Sequence, residues 1–218
     1  MATFDEVFSR PIAVVSSNSR AGGTSVVGIA EGPAWPELDG RRGYVKRQTR
    51  YTCRPLWNAL RATPTAAREA RYLALARARG APVAEVALHA CAAGGRSYLV
   101  TRAVDGRALR SVLAGADPRL RERVIDAVAR AFVALHRARI VHGALYDTHV
   151  LIDRDGRAVL VDLEKARIAP SKSLAAMLDL PRFFRRARGF TRADRRRLLV
   201  GYPSSEFPLL ALWRVLAR

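Results

Sequence analysis

The apolar periodicity of this 218-residue chain changes once, near Val104-Asp105-Gly106, and that change constrains the fold more than any other feature of the sequence. Before it, short runs suited to strands predominate. Ile12 to Val15 gives a weak strand-like pattern, Ser16 to Gly23 reads as a turn, and Thr24 to Ile29 and Gly43 to Arg47 are strand candidates separated by the loop Glu31 to Arg42. These predict a small antiparallel sheet. Thr63-Pro64-Thr65 opens a helix that Gly80 closes, and Val83 to His89 and Ser97 to Ala103 read as two further strands around a turn at Ala92 to Arg96. After the break, Leu120, Val124, Val128, Phe132 and Leu135 recur at helical spacing behind Asp117-Pro118. Val150 to Ile152 and Ala158 to Val161 flank Asp153-Arg154-Asp155-Gly156 as a hairpin, and the chain from Ser171 is helical and basic. The expectation is an α+β protein of two lobes: a β-rich lobe with one helix over residues 1–103, and a helical lobe over residues 104–218.

With 50% hydrophobic residues the chain has the means to build a core, and no run reaches the length of a membrane span. Asp5 and Glu6 stand where a signal peptide would carry positive charge, so a cytoplasmic location is expected. Cys53 and Cys91 are far apart and form no CxxC pair, which excludes a disulfide framework and a cysteine-rich zinc site. The formal charge of +19 favours anionic partners: nucleotide, anionic lipid or nucleic acid. Nucleic acid is the weakest of these, because no recognised module and no basic-aromatic platform accompanies the charge. Of 38 basic residues all but Lys46, Lys165 and Lys172 are arginine, so each lysine is a compact point charge kept against a strong bias.

Four features then fall in a telling order. Gly22-Gly23 lies at a turn, Lys46 in the strand Tyr44-Val45-Lys46-Arg47, Glu69 in the next helix, and Asp162 at the end of the run Val159-Leu160-Val161. A nucleotide site needs a glycine turn near phosphates, a cation on a rigid strand, a carboxylate to hold that cation and another carboxylate for magnesium. Each has a plainer competitor. Lys46 beside Arg47 could be an exposed edge pair, and Glu69 among Arg68 and Arg71 a helix-surface ion pair worth about 0.3 to 0.5 kcal/mol.

The stretches Asn18 to Val27, Tyr44-Val-Lys-Arg-Gln48 with Pro64-Thr-Ala-Ala-Arg-Glu-Ala70, and Val141 to Ile152 with Val161 to Ala166 resemble the bacterial lipopolysaccharide core kinases, the heptose kinases and their InaA-type relatives. The match covers roughly residues 18 to 166, and the basic segment Arg192 to Tyr202 resembles the family's closing helix. The resemblance implies a two-lobed protein-kinase-like fold with ATP bound between the lobes. It places Gly22 and Gly23 in the phosphate-covering loop, Lys46 on the phosphates paired with Glu69, and magnesium on Asp162 with His149 where protein kinases carry Asn. Glu164 is a further carboxylate within reach. The implied reaction is phosphorylation of a heptose hydroxyl of the lipopolysaccharide inner core, at the inner face of the inner membrane.

One position departs from that pattern. The family carries Asp two residues after His142, and this chain carries Ala144. The missing group is a general base, whose contribution is typically about 10²- to 10⁴-fold in rate. Asp147, in the same loop, is the candidate replacement; a slow kinase and a pseudokinase that binds nucleotide without turnover are the other two outcomes. Residues 181–200 hold eight Arg and one Asp with Phe183, Phe184, Phe190, Leu198 and Leu199 interleaved. That pattern suits either a peripheral helix on an anionic membrane or a solvated helix with its aromatics in the core.

Overall fold

The structure, a computed structural model, describes residues 2–20, 22–53 and 62–210. Ala21, inside the expected turn, and residues 211–218 of the helical end lie outside that description. The chain forms two compact units. The first comprises Met1–Ala74 with Ala84–Ala103, the second Leu75–Val83 with Val104–Arg218.

The first unit is built on a five-stranded antiparallel sheet of β1 (Ala13–Arg20), β2 (Gly23–Ala30), β3 (Gly43–Thr49), β6 (Val86–Cys91) and β7 (Arg96–Arg102), in the order β1-β2-β3-β7-β6. β3 is central, so its side chains alternate between two covered faces. On one face Val45 joins Val7, Trp35, Leu38, Tyr98 and Val100 in a buried cluster. A short helix, α1 (Phe4–Ser9), closes that face with Phe4 and Phe8. The opposite face carries Lys46 and Gln48 and receives α2 (Thr65–Ala78). Just ahead of α2, a small ribbon pairs β4 (Thr52–Cys53) with β5 (Thr63–Pro64).

Two expectations change here. The Ser16 to Gly23 turn is shorter than its composition implies: β1 continues through Arg20, which pairs with Gly23. β1 is an exposed edge strand, so its Ser and Asn residues face water and no apolar alternation marks them. α1 is a helix where the sequence reading assigned no element. Its signal is the capping box, in which Thr3 accepts from the Glu6 N–H while the Glu6 carboxylate accepts from the Thr3 N–H at 2.6 Å.

The second unit packs around α4 (Pro118–Arg137), started by the Asp117 side chain on the Leu120 N–H and buried along Val124, Val128, Phe132 and Leu135. Against it lie α5 (Lys172–Arg186) and α6 (Arg192–Val200), with Phe132 edge-on to Phe183 at 4.9 Å. β8 (Gly106–Ala108) leads into α3 (Leu109–Ala114) and joins the hairpin of β10 (Val150–Asp153) and β11 (Ala158–Leu160). A two-residue ribbon pairs β9 (Ile140–Val141) with β12 (Arg167–Ile168).

The basic segment 181–200 resolves in favour of a solvated face. Phe183, Phe184, Phe190 and Leu198 are all buried, so the apolar residues that would enter a bilayer are already inside the unit. Within the segment Arg197 pairs with Asp126, and Asp194 is held by Arg121 of α4. No helix among the described residues is long and apolar enough to cross a membrane.

Candidate active site

In the first unit the Lys46 ammonium lies 2.5 Å from a Glu69 carboxylate oxygen, with side-chain exposures of 16% and 6%. This is neither an edge pair nor a helix-surface pair. Lys46 sits on the middle strand, opposite Val27 on one side and Leu99 on the other. The helix is brought to it by Gln48, which the sequence reading left without a role. Gln48 is buried, its side-chain carbonyl accepts from the Ala66 N–H at 2.8 Å, and it exchanges hydrogen bonds with the Thr65 hydroxyl. Gln48 is two residues from Lys46 and therefore on the same strand face; Glu69 is one turn beyond Thr65 and Ala66, on the same helix face. Docking the start of α2 on Gln48 thus delivers Glu69 to Lys46. The two stretches YVKRQ and PTAAREA form one device.

Gly22 lies at the tip of the β1–β2 hairpin with φ +77°. At Gly23 a Cβ would collide with the Arg50 carbonyl, so close backbone approach is one cause of that glycine.

In the second unit two connections run side by side because their ends are paired. Residues 142–149 leave β9 and enter β10; residues 161–166 leave β11 and enter β12; and β10 pairs with β11 as β9 pairs with β12. The His142 Nε2 donates to the Val161 carbonyl at 3.0 Å, and the Val161 N–H donates to the His149 carbonyl at 3.0 Å. At the end of this lattice Asp162 has φ +62°, a left-handed conformation that a non-glycine residue adopts only where its surroundings enforce it.

His149 Nδ1 lies 2.8 Å from the Ala144 carbonyl and must carry the proton, which leaves the lone pair of a neutral ring on Nε2. Nε2 faces the Asp162 carboxylate at 3.5 Å, and carboxylate oxygens of Asp162 and Glu164 lie within 4.8 Å of each other. Two neighbouring carboxylates, Asp162 and Glu164, supply the hard oxygen ligands that magnesium requires, and His149 stands beside Asp162 alone. The residues present therefore fit the metal that the sequence led us to expect.

Beneath the loop lies a residue the sequence reading passed over. Asp179 of α5 has no exposure, and its oxygens accept from the His142 N–H at 2.6 Å and the Gly143 N–H at 3.0 Å. His136 completes the network, with Nε2 3.3 Å from Asp179 and Nδ1 2.8 Å from the Tyr202 hydroxyl. Burial pushes the Asp179 carboxyl up, but the bond and charge of His136 and the backbone N–H groups outweigh it and hold the group below the usual carboxylate range. Burial also lowers the pKa of His142, keeping its ring neutral. Gly143 has φ +77°, and a Cβ there would strike the Lys165 carbonyl. The only sequence cue to Asp179 was an acid on the apolar side of a basic helix.

Asp147, the expected replacement for the missing base, is engaged in an ion pair. Its side chain is 1% exposed, Arg110 grips both oxygens at 2.9 and 3.0 Å, and the Arg188 N–H adds a bond at 2.9 Å. Burial raises its pKa, and these donors more than reverse the effect. A carboxylate so held is an ion pair with both oxygens engaged.

Units of this make define the protein-kinase-like fold. Among solved structures the chain is similar to the kinase PK-1 of the Cydia pomonella granulovirus, at 15% identity and a TM-score of 0.52, over 77% of this chain and 56% of that one. The chain thus spans little more than half of that kinase's length. Residues 7–202 match the lipopolysaccharide kinase (Kdo/WaaP) family, and the chain belongs to that family. Among curated proteins no sequence matches it.

Proposed function

We propose that the chain is an ATP-dependent phosphotransferase acting on a sugar of the lipopolysaccharide inner core, a heptose being the candidate. The observation that carries this reading is the enclosed Lys46–Glu69 pair on the central strand, built by a dedicated Gln48 contact. Holding an ammonium at a fixed point by a carboxylate is what orienting a polyphosphate requires, and phosphoryl transfer depends mainly on positioning and electrostatic stabilisation.

Lys46 meets the phosphates, Glu69 fixes Lys46, and Gly22 at the hairpin tip leaves its backbone open to approach. Asp162 and Glu164 would hold a divalent cation, with His149 beside Asp162, and the cation would offset the charge gathering on the phosphate oxygens. Asp179 keeps the loop that carries His149 in register with the segment that carries Asp162. The family supports lipopolysaccharide as the acceptor's source, and a cytoplasmic location at the inner face of the inner membrane follows from that substrate.

Ala144 favours a second reading, a pseudokinase that binds nucleotide without transfer. Two measurements separate the readings. ATP with magnesium is expected to raise the melting temperature of the wild type and not of Asp162→Ala; absence of any shift in the wild type defeats both. Radiolabelled phosphate should pass from ATP to extracted core lipopolysaccharide in the wild type and fail with Lys46→Ala. No transfer by a nucleotide-stabilised protein leaves the pseudokinase.

A further inference from the structure

Ala144 changes which acceptor the site suits. Transfer from ATP to a neutral hydroxyl sets a proton free, and a positioned base takes it up as the new bond forms. At residue 144 there is a methyl group, 3% exposed. Asp147 has both oxygens bound by Arg110, and the Asp179 oxygens are spent on His142, Gly143 and His136. The loop is otherwise firmly held, with Arg182 donating to the Gly143 carbonyl immediately before Ala144. The framework for transfer stands while the proton acceptor is gone.

Beside that loop, within the second unit, lies an open hollow of about 500 Å³ whose lining residues include four arginines, Arg110, Arg185, Arg186 and Arg188. Tyr146 and Asp147 supply the loop side, and Asp147 is its sole carboxylate. Two of the four cations are fixed in place: Arg110 by its two-pronged grip on Asp147, Arg186 by stacking 5.2 Å over the Tyr146 ring. One negative charge among four positive ones leaves a strongly cationic hollow. Arginine forks match phosphate oxygens in pairs.

We infer that the acceptor group is a phosphomonoester already present on the sugar, held by this cavity, and that its oxyanion receives the transferred phosphoryl group to give a diphosphate. This rests on the kinase reading above. An acceptor oxygen forms the bond to the γ-phosphorus, the bond from that phosphorus to the β,γ-bridging oxygen breaks, and its electron pair leaves with ADP. The attacking oxygen carries no proton, so none has to be removed and the charges of reactants and products balance. A base at residue 144 has no task in this reaction. One phosphoanhydride replaces another, so the step also runs backwards.

The test uses the full chain, ATP, magnesium and deacylated core oligosaccharide in two forms, one with its phosphomonoesters and one stripped by a phosphatase that is then removed. Phosphorus NMR is expected to show a diphosphate only with the phosphorylated form, and ADP with that product should regenerate ATP. In the double variant Arg185→Ala/Arg186→Ala, losing charge-assisted hydrogen bonds should raise the acceptor KM at least about tenfold. Its thermal shift with ATP and magnesium should equal the wild type's. Ala144→Asp should gain transfer to the stripped oligosaccharide. Equal transfer by the wild type to both forms, a new monoester as product, or an unchanged acceptor KM in the double variant overturns the inference. So does transfer to neither form while ATP with magnesium still stabilises the protein. Loss of that stabilisation instead removes the kinase reading, and the acceptor assignment with it.

Discussion

The Lys46 site and the 142–149 loop have been treated differently by the sequence. In the first unit both the contact residues and their support are present: Lys46 with Glu69, and Gln48 holding the helix start. In the second unit the backbone support is in place, with Asp179 on two backbone N–H groups, Gly143 in a conformation that excludes a side chain, and His142 Nε2 bonded to Val161, while its buried Nδ1 has no hydrogen-bond partner among the described residues. One contact residue, at Ala144, has lost its chemistry. A loop drifting without function would be expected to lose its buried polar network as well, because each buried group left unpaired costs free energy. Ala144 thus sits within a loop whose backbone contacts are kept.

Removing the support should cost far more than removing an exposed partner, and the largest effect is expected at Asp179. Asp179→Ala strands the His142 and Gly143 N–H groups and the His136 ring in a space without water, at a cost of about 3–5 kcal/mol. Urea unfolding measures it, and a loss below 1 kcal/mol would mean the network is not a scaffold. Gln48→Ala should come next, at about 1–3 kcal/mol for the orphaned Ala66 N–H. It should also weaken ATP-dependent stabilisation, because Glu69 loses the anchor that brings it to Lys46. A Gln48→Ala protein with unaltered nucleotide response would separate the two stretches that the structure joins.

How much of this was legible in the sequence depended on whether a residue's role was local. Strand alternation, the Asp117-Pro118 start of α4 and the Gly156 hairpin all carry their causes within a few residues, and all read correctly. The Lys46–Glu69 pair was anticipated through order and family resemblance. Gln48 and Asp179 were not, because their partners, Ala66 and Gly143, lie 18 and 36 residues away and nothing in composition marks a buried amide or acid. The ion pair of Asp147 was hidden for the same reason, since Arg110 lies 37 residues earlier. The exposed edge strand β1 hid its length because water, not packing, faces its side chains.

The comparison also has a pH signature. Asp179, Asp147 and Asp194 all have their pKa lowered by folding, so the unfolded chain binds protons more readily than the native one. Their stabilisation is complete above the unfolded carboxylate value of about 3.9 and is lost as pH falls below it through the native values. All three belong to the second unit. Thermal melts between pH 6 and pH 3 should show a steep acid-side loss that Asp179→Asn reduces; an unchanged slope would place the acid-sensitive groups elsewhere.

The smallest effect is expected at Arg197, whose guanidinium reaches Asp126 at 2.7 Å and Glu122 at 3.1 Å with 40% of its side chain exposed. Its geometry is as good as that of Arg110 on Asp147. The difference is solvent. Water screens the exposed pair and rehydrates Asp126 once the partner leaves, so Arg197→Ala should cost less than about 1 kcal/mol. Arg110→Ala leaves a carboxylate at 1% exposure with backbone N–H groups of Arg188 and Thr148 but no cation on it, so its cost should be several times larger. Equal losses in the two variants would mean that burial of Asp147 is not what fixes it, and would reopen that carboxylate to the acceptor.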